Sequence, residues 1–200
     1  MRTSAELSGN ILNAAYSLSN KDTVDGSYQI FNTKFSQYFK SDVDFRFYNV
    51  LNKRNRLVYR FYTGAGVPYG NANSLPFIKQ YFGGGANGIR AWRSRDLGPG
   101  TYRDTSIYPN QTAGLKIEFN VEYRFHIVWM IEGAIFADGG NIWSITKDDN
   151  REGAQFKFNK FYKQFALGSG IGLRFDFSFF VFRLDGGFKL IDPGIAGRNK

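Results

Sequence analysis

The sequence predicts an all-β protein: an antiparallel transmembrane β-barrel, present in part as about seven strands, with one long loop folded inside. Three observations carry this. Aromatic residues make up 18% of the 200 positions, led by 21 Phe and 12 Tyr, yet the mean hydropathy is only −0.36. Apolar and polar residues are therefore finely interleaved, as a wall one residue thick between lipid and water requires. Several segments alternate at period two, and their connections are alternately short and long. No stretch approaches the ~18–20 consecutive apolar residues of a membrane helix.

A first, weaker strand is expected over 5–12, with Glu6, Ser8 and Asn10 on one face. In the second, Phe35, Phe39, Val43, Phe45 and Phe47 alternate with Tyr38, Lys40, Asp42, Asp44 and Arg46. In the third, Leu57, Tyr59 and Phe61 alternate with Arg60 and Tyr62. The fourth is the clearest. Leu115, Ile117, Phe119, Val121, Tyr123 and Phe125 alternate with Lys116, Glu118, Asn120, Glu122 and Arg124, matching the ~9–11 residues of a tilted spanning strand. Over 131–138, Glu132 and Asp138 share the polar face, opposite Ile131, Ile135 and Ala137. Over 165–177, Leu167, Ile171 and Leu173 oppose Gly168, Gly170, Gly172 and Arg174. In the seventh, Phe180, Phe182, Leu184 and Phe188 oppose Arg183, Asp185 and Lys189.

Short turns are expected at 52–55, around His126 and at 176–178, and long links at 17–33, 67–113 and 139–163. Short turns on one side and long loops on the other mark an outer-membrane barrel. Seven strands cannot close a barrel of even strand number, so both edges of the sheet are expected to be open, with a polar tail at 197–200. The first residues lack the charged head and apolar run of a signal peptide. Because a barrel must be exported, its true N-terminus is expected upstream.

The net charge of +9 comes from 26 Lys and Arg spread along the chain, without a recognition helix or RNA-binding signature. Nucleic acid is therefore not an expected partner; a polar lumen or anionic lipid explains the basic residues. The lack of Cys suits an oxidising compartment. Gly83, Gly85 and Gly88 fit a dinucleotide fingerprint in spacing, but no βαβ unit surrounds them. His126, the single histidine, is expected in an interfacial aromatic belt. Asp148, Asp149, Asn150 and Glu152 follow no EF-hand spacing and read as a solvated outer loop. Neither a catalytic triad nor a metal cluster can be assembled, so no catalysis, cofactor or metal is expected. Lys116, Glu118, Glu122, Arg174, Arg183 and Asp185 read as a charge ladder supporting the wall.

The link at 67–113 is too long for a plain connector and too rich in apolar residues for a tether. Its centre, Gly84-Gly85-Ala86-Asn87-Gly88-Ile89-Arg90-Ala91-Trp92, is followed by Leu97-Gly98-Pro99-Gly100. A second signature is Gly133-Ala134-Ile135-Phe136-Ala137-Asp138-Gly139-Gly140-Asn141-Ile142-Trp143. Together they resemble the lumenal-loop and strand motifs of the BamA/TamA superfamily of outer-membrane assembly factors. The loop wording looks closest to the translocation and assembly module branch.

The resemblance covers the whole chain and implies the C-terminal half of a barrel of about sixteen strands. It also implies periplasmic domains upstream and a closing strand beyond the chain. It makes Gly84, Gly85, Ile89, Arg90, Ala91 and Trp92 the loop-tip motif, with Arg90 pairing with an acidic group on the inner wall. Asp138 matches the family's acidic partner; Glu132, on the same face by alternation, is a second candidate. Ala91 stands where the family carries glycine, so the loop tip departs there from the motif.

The implied function is assistance to insertion or export of proteins at the bacterial outer membrane. Outer-membrane lipids and client outer-membrane or surface proteins are the expected partners, beside periplasmic or inner-membrane assembly partners. Two other readings are a passive pore or secretion channel, and a barrel anchoring a soluble enzyme domain.

Overall fold

A computed structural model describes residues 1–19, 23–24, 26–107, 111–146 and 149–195. The elements in chain order are β1 (Arg2–Ser8), α1 (Asn10–Leu18), β2 (Gln29–Ile30), β3 (Thr33–Lys34), β4 (Tyr38–Asn52), β5 (Asn55–Pro68), β6 (Leu115–Val128), β7 (Ile131–Trp143), β8 (Ala166–Asp176) and β9 (Val181–Ile191). Short 3₁₀ turns at Phe77–Lys79 and Phe161–Gln164 interrupt two of the loops. Seven strands form one antiparallel sheet in the order β1-β4-β5-β6-β7-β8-β9. The seven expected strands are therefore present, each beside its neighbour in sequence, as in an up-and-down barrel wall. The small β2–β3 hairpin stands apart.

The distribution of side chains is inverted relative to a water-soluble sheet. Phe45, Phe47, Phe61, Ile135, Ile171 and Phe188 on one face are 44–68% exposed. On the other face Glu118, Glu122, Asp138 and Arg174 are buried. An apolar face with nothing over it suits lipid, because hydrocarbon needs no hydrogen bonds and the strands satisfy one another's backbone groups. Among the described residues no helix is long and apolar enough to cross a membrane, and strands of 11 to 15 residues supply the span instead.

Four boundaries differ from the sequence expectation. The first strand ends at Ser8, the chain turns at Gly9 (φ 79°), and Asn10 and Leu12 lie in α1. Phe35 precedes β4 rather than opening it. The turn expected around His126 comes later, at Trp129 and Met130, with Trp129 at φ 52°. A register shift between His126 and Val128 inserts an extra residue there; such a bulge breaks the alternation without ending the strand. Finally, β7 runs through Gly139 and Gly140 to Trp143, paired with β6 throughout. The sequence reads those glycines as a loop start; in the structure they stay in the ladder. The last short connection is 177–180. The polar tail at 197–200 lies outside the described residues.

Candidate functional site

The long link 67–113 folds back across the polar face. Its approach is anchored by Lys116, whose Nζ donates to the Phe82 carbonyl at 2.8 Å, and by a bridge between Tyr81 and Ala113. The tip is a compact turn: the Gly85 amide donates to the Trp92 carbonyl at 2.9 Å, and Gly88 to Gly85 at 3.0 Å. A bridge between Gly83 and Leu97 closes its base. These amides are used within the turn. At Gly84 the backbone has φ 81°, and a Cβ there would lie 2.2 Å from the Arg93 carbonyl oxygen. Only glycine fits that position. Ala91 is not among the positive-φ residues, so alanine in place of the motif glycine costs no backbone strain.

Ile89, Trp92 and Leu97 bury their side chains with Ala166 of β8, and Ala91 packs against the same cluster. The wall is flat where the tip lands. A Cβ on Gly168 would approach the Ala91 Cβ to 2.7 Å, and one on Gly187 would sit 3.1 Å from the Ala91 Cα. Gly168, one of the β8 glycines read from the sequence as one face, and Gly187 of β9 are thus the seat of the loop.

Arg90 is the centre of the arrangement. Its Nε and Nη2 each donate to Asp138 at 2.8 Å, to Oδ2 and Oδ1 respectively, and its backbone amide donates to the same carboxylate at 3.1 Å. On the opposite side Nη1 donates to Glu122 Oε2. Asp185 Oδ2 lies 3.9 Å from Nη1. The guanidinium stacks 3.5 Å from the centroid of the Phe136 ring. Its side chain is 6% exposed, and those of Glu122 and Asp138 are 7% and 0%.

A second arginine closes the network. Arg174 of β8 donates to Glu122 Oε2 at 3.1 Å and to Asp185 Oδ1 of β9 at 2.6 Å. Arg124 Nε donates to Glu122 Oε1 at 2.6 Å. Asn120 donates to Asp138 at 2.8 Å and to the Gly88 carbonyl at 2.9 Å. Arg60 of β5 reaches the Asn87 carbonyl at 2.8 Å, and Arg183 of β9 donates to Asn87 Oδ1 at 3.2 Å. Strands β5 to β9 therefore all hold one loop tip. Beside it Glu118 is buried, with Lys116 Nζ at 2.8 Å and Arg60 Nη1 at 3.5 Å, neither directed as a hydrogen bond.

Of the residues singled out by sequence, Gly84, Gly85, Ile89, Arg90, Ala91, Trp92 and Asp138 come together in this site. Glu132 does not, and its assignment as a partner of Arg90 is corrected: it pairs with Arg56. Glu132 and Asp138 share a face but lie six residues apart on β7, about 20 Å along an extended strand, beyond one guanidinium. Glu122, Phe136, Arg174 and Asp185 were missed as site members. In the sequence, Glu122, Arg174 and Asp185 read only as part of a charge ladder in the wall. The cross-strand pairing of Asn120 with Asp138, once known, brings Glu122 into reach of Arg90.

His126 is exposed near Ile127, Val128 and Trp129. In the outer loop, Asp149 is held by Arg151 at 2.7 Å, and Asp148 lies outside the described residues. The hydrogen bond from Arg151 lowers the Asp149 carboxyl to a pKa of about 2. Its oxygens serve an internal ion pair.

Comparison with known proteins agrees with this architecture. The model of the Omp85 superfamily domain matches residues 7–196. The outer membrane protein assembly factor BamA of Neisseria meningitidis serogroup B is 26% identical over 124 residues, covering 59% of this chain and 16% of that protein. The crystal structure of BamA from Haemophilus ducreyi lacking POTRA domains 1–3 superposes with a TM-score of 0.61 at 17% identity, covering 76% of this chain and 32% of that one. The chain thus spans under a third of the length of either. With nearly every residue matched by the family model, an exposed apolar wall and a loop seated on its polar face, the chain belongs to the Omp85 superfamily of outer-membrane barrel proteins.

Proposed function

We propose that this chain forms part of a barrel that assists insertion or export of proteins at the outer membrane, with loop 67–113 held inside the lumen by Arg90. The observation that carries this reading is the buried guanidinium forked onto Asp138, with Glu122 on its other side and Phe136 beneath it. Burying such a group is costly unless every partner is in place. A passive wall needs no such arrangement on a loop. The wording of the tip, Ile89-Arg90-Ala91-Trp92 followed by Leu97-Gly98-Pro99-Gly100, leans towards the translocation and assembly module branch. Its partners in this reading are outer-membrane lipids, client outer-membrane or surface proteins, and periplasmic or inner-membrane assembly partners.

The test replaces Arg90 with Ala, and separately Asp138 with Ala, in the complete protein as the sole copy in its cells. The expected result is a fall in client proteins at the outer membrane with the barrel itself still inserted. Normal client levels with altered single-channel conductance would instead favour a passive pore.

A further inference from the structure

A cavity of about 320 Å³ opens beside the loop tip. Its wall residues on β4, β5 and β6 occupy the register rows from Arg46, Arg60 and Asn120 down to Arg124, towards the short turns. Among the described residues the lining carries Arg46, Arg60, Arg90, Arg124 and Arg183 but a single carboxylate, Glu122. That carboxylate is already engaged, one oxygen by Arg90 and Arg174 and the other by Arg124. Of Arg124, only Nε has an acceptor among the described residues, which leaves its two terminal nitrogens as free donors.

The surrounding network is also unbalanced. Asp44, Glu118, Glu122, Asp138 and Asp185 are its five carboxylates; against them stand seven cations, the five lining arginines with Arg174 and Lys116. An excess of two positive charges around this open cavity repels itself and concentrates anions. Guanidinium groups match phosphate and carboxylate oxygens through paired donors. Here they come from β4, β5, β6, β9 and the loop tip rather than from one side, an arrangement that suits a tetrahedral dianion better than a planar carboxylate.

We propose that this cavity is an oxyanion site that takes a phosphate group, borne by a lipid headgroup or free in solution. It is independent of the assembly reading, since it rests on the cavity and its charge alone.

Calorimetric titration of the complete protein, purified in a non-ionic detergent free of phosphate, tests it. The probes are inorganic phosphate and dihexanoyl phosphatidate, with sodium chloride at matched ionic strength as the blank. Saturable binding is expected for phosphate or for both probes. Tighter binding of the phosphatidate identifies a lipid headgroup, and equal binding identifies free phosphate. Arg46→Gln and Arg124→Gln should each weaken it about tenfold, the loss of one charge-assisted hydrogen bond. Lys163→Gln, on the exposed outer loop, should leave it unchanged. The Arg46 side chain is 54% exposed, so that variant keeps its fold. No saturable heat above the chloride blank, or equal affinity in the Arg46 and Arg124 variants, overturns the proposal.

Discussion

Two of the three long connections of the sheet meet different fates. The one at 9–37 contains α1, none of whose residues is buried; Ile11 and Leu18 are both 86% exposed. It is tied down by polar contacts, such as Asn10 accepting from Gln37 at 2.9 Å and Asn71 donating to the Phe35 carbonyl at 2.9 Å. The one at 67–113 buries Ile89, Trp92 and Leu97 and places Arg90 between two carboxylates. Length therefore does not seat a loop. A seated loop needs apolar knobs, a flat landing surface and charge that matches the wall beneath.

The largest expected effect breaks the second loop. Arg90→Ala leaves Glu122 and Asp138 buried beside a missing partner, and breaking a buried pair costs about 3–5 kcal/mol. Hydrogen exchange should show loss of protection at the Gly85 and Trp92 amides and none in α1. Equal loss in both connections would mean that the loops are not independent. Gly168→Val tests the landing surface, because its Cβ would sit 2.7 Å from that of Ala91. Overpacking of this kind costs about 1–3 kcal/mol and should raise protease cleavage at 83–97.

A smaller effect concerns the outer loop around Asp149. Its carboxyl lies at about 2 in the folded protein against an ordinary 3.8. The stabilisation is therefore fully present above about pH 4 and is lost as the pH falls from there through about 2. Amide exchange at Ser144 and Ala154, both bonded within this loop, should accelerate over that interval; a flat profile would remove Asp149 from the account. Least of all, Ile11→Ser on α1 should change stability by no more than about 0.5 kcal/mol, read as an unchanged thermal midpoint. A larger loss would show that the exposed face of α1 is covered in the intact protein.

Sequence alone determined the strand count, the apolar and polar faces, and the asymmetry of the connections. These follow from a period of two, which survives in any order of reading because each residue reports its own face. It also isolated Arg90 and Asp138, through motif wording. Tertiary structure decided which carboxylates share the guanidinium. Alternation marks Glu122, Glu132 and Asp138 as equivalent, since all face the polar side; only register separates Glu132, about 20 Å along its strand, from Glu122 on the neighbouring one. Register also revealed the bulge after His126 and the continuation of β7 through its glycines. The reason is general: a face is a property of one strand, whereas a site is made by the offset between strands, and that offset is set by bulges and by what lands on the wall.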